Sequence, residues 1–218
     1  MGAPPTEILT FLIADVRGYT SYTQTHGDEA AARLAMTFAE IATEATEARG
    51  GWVNGLRGDE ALSVFSSARR ALQCAVDLQR ALLEEIELDP SLPLRVGIGI
   101  DAGETVLVED GYRGGAINLA ARLCSHAGAG EILASQGVAH LARATGDVRF
   151  IERGPVAFKG LADPVEVLQI AAPGLYPEEV ARRLEELAAL DGDAPAQGER
   201  AEWKQSLPGR PYQRVCQR

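Results

Sequence analysis

Residues 52–65 read WVNGLRGDEALSVF. Trp52–Leu56 and Ala61–Phe65 are short apolar runs, and Arg57-Gly58-Asp59-Glu60 between them carries the Gly-Asp signal of a tight turn. The stretch is therefore expected to form a β-hairpin. Helical patterns flank it on both sides. Residues 27–49 open at Gly27-Asp28, repeat Ala31, Leu34, Phe38 and Ile41 at helical spacing, and stop at Gly50-Gly51. Residues 68–87 place Ala71, Cys74, Ala75, Leu78, Leu82 and Ile86 on one face. Outside the helices lie two strand-like runs, EILTFLIADV at 7–16 and LRVGIGI at 94–100. The glycines of the second run permit close approach of another backbone. The order strand, helix, hairpin, helix, strand predicts an α+β fold, an α/β sandwich. It has a ferredoxin-like split βαβ core with its helices on one face of a mainly antiparallel sheet.

The rest of the chain reads as smaller elements. Residues 104–108 are expected to pair back on 94–100, and 115–127 to form a short helix. A short strand at 131–133, a small helix at 135–143 and strands at 148–152 and 164–171 follow. From Pro173 the character changes. Residues 176–190 (YPEEVARRLEELAAL) place Val180, Leu184, Leu187 and Leu190 on one side of a helix, and 191–218 are rich in Gly, Pro and charge, as mobile tails are. The expected organisation is a tail at 1–6, a domain at 7–172, and a C-terminal helix and tail at 173–218.

Composition narrows the function. The 218 residues carry a net charge of −10, which argues against a nucleic-acid surface. Lys159 and Lys204 are the only lysines. Cys74, Cys124 and Cys216 are widely spaced and odd in number, as expected of reduced thiols in a cytoplasmic protein. No apolar stretch is long enough to span a membrane, and the N-terminus MGAPPTE lacks a signal-peptide pattern.

Three places carry chemistry. Asp15 ends a buried strand and precedes Arg17-Gly18-Tyr19-Thr20. A carboxylate there holds a hard cation, the Val16 carbonyl can add a neutral ligand, and the N–H groups of the turn can face phosphates. Asp59 sits in the hairpin turn, and neighbouring antiparallel strands would bring it to Asp15. Two carboxylates at one buried edge repel unless a cation separates them. Asn118 and Arg122, in GGAINLAARL (114–123), are four apart and share a helix face, where they can hydrogen-bond a ribose and neutralise a phosphoryl oxygen. Lys159, in AFKGLADPVEV, suits either a phosphate contact or a solvated hairpin. His26, His126 and His140 form no cluster.

Together these frames resemble the class III nucleotidyl cyclase homology domain over about residues 7–171. FLIADVRGYT resembles its first metal motif, RGDEALSVF its second, and GGAINLAARL its Asn/Arg helix. VGIGIDAGE is similar to a strand that usually carries histidine where Asp101 stands, and VAFKGLADPVEVLQI to the closing hairpin. The resemblance implies that Asp15, Val16 and Asp59 bind two Mg²⁺ or Mn²⁺ ions. It implies that residues 16–20, with Lys159, hold the phosphates of a nucleoside triphosphate. Asn118 and Arg122 would come from the second chain of a head-to-tail homodimer and act on the ribose and the α-phosphate.

The departures fall on the base. Gly55 and Gly111 stand where purine-selective members carry base-reading side chains, and Asp110 or Arg57 are the neighbouring candidates to substitute. Three readings follow: a cyclase acting most simply on ATP, a cyclase-like nucleotide-binding or regulatory module without useful turnover, and a pyrimidine cyclase of the phage-defence type. RGDEALSVF resembles the cyclase-like domains at the front of ATPase-containing regulators, and QSLPGRPYQRVCQR resembles the linker into their ATPase module.

Overall fold

The structure, a computed structural model, describes residues 6–191 except 109, 110, 144, 145 and 147. The elements are β1 (Thr6–Val16), α1 (Tyr19–Ala48), β2 (Trp52–Arg57), β3 (Glu60–Phe65) and α2 (Ala68–Leu88). They continue with β4 (Val96–Val108), β5 (Gly111–Arg113), α3 (Gly115–His126), β6 (Ile132–Ser135) and α4 (Gln136–Ala142). β7 (Arg149–Val156), β8 (Val165–Ala171) and α5 (Pro177–Asp191) complete the described chain. The sheet runs β2-β3-β1-β4-β6-β8-β7, with β5 folded back on β4. Every pairing is antiparallel except β4 with β6.

β1 is an interior strand of the sheet, between β3 and β4, and its side chains are buried on both faces. Leu12, Ala14 and Val16 enter one core with α1, α2, α4 and α5. Leu9, Phe11 and Ile13 enter a second core with Ile117, Ala120 and Ala121 of α3. The two helices of the split βαβ core, α1 and α2, share one face as expected, and α3 adds cover on the opposite face. A strand apolar on both sides needs cover on both, and a single helical layer would leave the odd-numbered series in water.

Two expectations change. Residues 104–108 continue β4 rather than turning back, because β4 pairs with β1 along its length, from Val16↔Val96 to Thr6↔Val106. β5 provides the return, with Leu107 opposite Tyr112. The helix expected at 27–49 begins eight residues earlier, at Tyr19, and Gly27 interrupts it at φ 83°. The added turns, YTSYTQTH, are polar and give no apolar period to read. In α5, Val180 and Leu184 are buried in the larger core. The side chains of Leu187 and Leu190, and the tail from 192 onward, lie outside the described residues.

Candidate active site

The register of the central strands assembles one edge of the site. Asp15 lies opposite Glu60 across the β1–β3 pair, and the Val16 N–H donates to the Asp59 carbonyl oxygen at 2.9 Å. The hairpin turn is thereby fastened to the end of β1, and the two predicted aspartates come to one place. By the alternation that sends Phe11 and Ile13 toward α3, Asp15 stands on the α3 face.

Arg17 shares that face. Its guanidinium forms a short ion pair with the Asp15 carboxylate and donates to the Cys124 and Ala127 carbonyl oxygens at the end of α3. Gly97 makes room for it, since a Cβ there would lie 2.2 Å from an Arg17 nitrogen. Sequence reading assigned only the backbone of Arg17 to the site. Its position two residues after Asp15, on the same face of an extended segment, was the available signal for the ion pair.

The electrostatics of this edge are those of enclosed carboxylates. Burial pushes the Asp15 carboxyl up to about 6; Arg17 opposes the shift and Asp59 adds to it. Burial raises Asp59 as well, against its own backbone hydrogen bond and Arg17. Glu60, which the sequence reading did not single out, is pushed up to about 7 by burial and by Asp15. A hard divalent cation suits such a donor set, because its charge offsets the repulsion and its preference is for oxygen. Among the described residues no group of three or more His, Cys, Asp and Glu side chains is arranged to hold a metal. Two carboxylates thus leave coordination positions for main-chain oxygen, water or phosphate.

Next to this edge the backbone turns through Gly18, at φ 77°, into α1. No side chain caps that helix, so the N–H groups around Tyr19 and Thr20 remain available to an anion.

Asn118 and Arg122 do not meet the aspartates within the chain. Ala116 approaches Gly103 of β4, and Ala120 and Cys124 approach Gly99, so these residues form the sheet-facing side of α3. Two residues further on from Ala116 and Ala120, Asn118 and Arg122 occupy the opposite side; Asn118 is exposed and Arg122 half-buried. The Arg122 guanidinium lies beside Gly160, 3.3 Å from where its Cβ would be. The exposed Lys159 is in the same turn, and the ring contact of His126 with Phe158 at 5.8 Å also ties α3 to it.

The two positions expected to read a base are near one aromatic pair. Gly55 is in β2 opposite Leu62, just after a β-bulge at Asn54. Gly111 opens β5 at φ 120°, a conformation closed to ordinary side chains. The glycine at 111 is therefore a requirement of the backbone. Trp52 and Tyr112, neighbours of these positions, have ring centroids 6.3 Å apart. Asp110 lies outside the described residues. Asp101 is buried in β4, where the Ser135 hydroxyl donates to it.

Comparison with known proteins identifies the family. The profile of the adenylate and guanylate cyclase catalytic domain matches residues 1–171. The chain belongs to this family. An uncharacterised protein of Mycobacterium tuberculosis is 32% identical over 176 residues, covering 79% of this chain and 59% of that protein. The chain thus spans under two thirds of the length of this relative. The crystal structure of the guanylyl cyclase Cya2 superimposes with a TM-score of 0.68 at 28% identity, covering 79% of this chain and 95% of that one. The adenylyl cyclase CyaB from P. aeruginosa has a TM-score of 0.72 at 22% identity, covering 78% and 96%, and shows the shared fold. Among the described residues of the cyclase chain, no helix is long and apolar enough to cross a membrane.

Proposed function

We propose that this protein converts a nucleoside triphosphate, most simply ATP, to its 3′,5′-cyclic monophosphate and pyrophosphate, at sites shared between two copies of the chain. The observation that carries this reading is the division of the site residues. Asp15 and Asp59 meet at one strand edge, while Asn118 and Arg122 of the same chain point outward from the far side of α3. One chain holds both halves and cannot close them on each other, whereas a head-to-tail pair can.

In this reading Asp15, Asp59 and the Val16 carbonyl hold two divalent cations, Mg²⁺ or Mn²⁺, which when bound acidify the ribose 3′-hydroxyl and neutralise the triphosphate. The residues of the chain do the rest. The uncapped start of α1, Gly18 to Thr20, receives the β- and γ-phosphates through its N–H groups. Arg17 keeps the Asp15 carboxylate oriented and partly charge-balanced. Asn118 of the partner subunit orients the ribose. Arg122 of the partner subunit stabilises the charge that grows on the α-phosphate as the 3′-oxygen attacks phosphorus and the bond to pyrophosphate breaks. Lys159, beside Arg122, adds positive charge to the phosphate path.

The absence of side chains at Gly55 and Gly111 favours a second reading, a module that binds nucleotide with little turnover. One experiment separates the two. The purified dimer is given Mn²⁺ and each of ATP, GTP, CTP and UTP, and products are identified by mass. A cyclic product is expected, and it should disappear in Asp15→Ala. Arg122→Ala should lower kcat about 10²- to 10³-fold, the usual consequence of losing one charge-stabilising donor. Binding without any product would instead establish the regulatory module. A product from UTP or CTP in preference to ATP would make the protein a pyrimidine cyclase.

A further inference from the structure

Asn54 is buried, with 6% of its surface exposed, and among the described residues its Nδ2 is the single buried side-chain polar atom without a hydrogen-bond partner. A buried amide donor left unpaired costs free energy, and such groups in folded proteins call for a reason. The surroundings of Asn54 supply one. Trp52 lies opposite Val64 on the α3 face, and Val53 lies opposite Ser63, whose hydroxyl bonds Thr46 of α1 on the other face. Alternation returns Asn54 to the α3 face. The bulge then keeps the chain from alternating again, so Gly55 also faces that side, opposite Leu62. The bulge thus adds one side chain to this face, next to the bare glycine.

We propose that the Asn54 carboxamide is the base-reading group of the nucleotide site, with Nδ2–H donating to a ring nitrogen of adenine and Oδ1 accepting from its exocyclic amine. This rests on the reading of the protein as a nucleotide-binding cyclase. A carboxamide carries donor and acceptor side by side, which is the pattern an adenine edge complements. Trp52, 38% exposed and backed by the buried Tyr112 ring, provides an aromatic surface on which a base can stack, at the two strands that carry Gly55 and Gly111. The unpaired Nδ2 donor is the group that the base engages.

The test measures binding of ATP, GTP, CTP, UTP and ribose 5-triphosphate by calorimetry, with Ca²⁺ present to prevent turnover. For Asn54→Ala the affinity for ATP should fall about 10-fold while that for ribose 5-triphosphate is unchanged. Asn54→Asp, which can only accept, should shift the ATP-to-GTP affinity ratio toward GTP by about 10-fold or more. The melting temperature of Asn54→Ala should not fall, since no native hydrogen bond of Nδ2 is lost. Indole fluorescence in a Trp203→Phe background should change on adding ATP and not on adding ribose 5-triphosphate. Unchanged affinity ratios in both variants overturn the assignment while leaving the triphosphate site standing. A lowered melting temperature with unchanged ratios makes Asn54 a structural residue. If the wild type binds neither ATP nor ribose 5-triphosphate, the nucleotide reading itself fails, and the assignment with it.

Discussion

Asp101 is 7% exposed, and burial pushes its carboxyl up to about 6 from an ordinary 3.8, against the hydrogen bond from Ser135. Ionisation of this group therefore opposes folding. Below about pH 3 it is protonated in both the folded and unfolded chain and costs nothing; between about pH 4 and 6 the unfolded chain ionises while the folded chain keeps its proton, so stability falls across that window and stays at the lower level above it. Asp101→Asn should accordingly raise stability at pH 8 by up to about 3 kcal/mol and have little effect at pH 3, measured as urea midpoints at the two pH values. Sequence reading identified the position as one where related domains often carry histidine, and it had no means of finding Ser135, which is 34 residues away and joins through the parallel β4–β6 pairing. The aspartates at 15 and 59 were legible because each ends or turns an element with a strong local signal. Glu60 was not, since its relation to Asp15 is set by strand register, which no local pattern states.

At the scale of elements, the contact of α3 with β4 is set by glycine. Gly97, Gly99 and Gly103 fall on the face that α3 covers, interrupted by Asp101. A Cβ on Gly99 would lie 2.1 Å from the Cys124 nitrogen and 2.2 Å from the Ala120 oxygen, both main-chain atoms. At Gly103 the nearest atom is the Ala116 Cβ, at 3.3 Å. Gly99→Ala should destabilise the domain by about 3 kcal/mol, while Gly103→Ala should cost under about 1 kcal/mol, compared by thermal melting. Any residual folded Gly99→Ala should also lose more turnover than stability, because the helix that bears Asn118 and Arg122 is displaced. The alternating glycines were read in sequence as allowing close approach, and the hairpin and α2 were likewise placed to within a residue or so. The extent of β4 and the placement of α3 on the far face were not, because both depend on the length and two-sided burial of β1, a strand some ninety residues away in the chain.

At the scale of the whole molecule, the proposed division of the site between copies makes a prediction about mixtures. Asp59→Ala removes one half of every site, and Arg122→Ala removes the other. Each variant alone should be inactive. Co-folded in equal amounts, they should recover about a quarter of wild-type turnover, since half of the dimers are mixed and each mixed dimer has one intact site of two. Recovery absent from a mixture shown to exchange subunits would place both halves in a single chain. The two-copy arrangement was expected from the family resemblance. The observation that supports the proposal, Asn118 and Arg122 on the side of α3 away from the sheet, needed the packing of α3 to become visible.

The glycine contact between α3 and β4 has a mechanical consequence. Where a helix rests on side chains, each rotamer is a small spring, and the spacing gives gradually as temperature rises. At Gly99 peptide rests on peptide, and the spacing there is that of a ruler. The bearing of Arg122 relative to the sheet is inherited from covalent geometry and does not soften ahead of the fold. On heating, the geometry of the reaction centre should hold its value up to the unfolding transition and then fail all at once with the sheet.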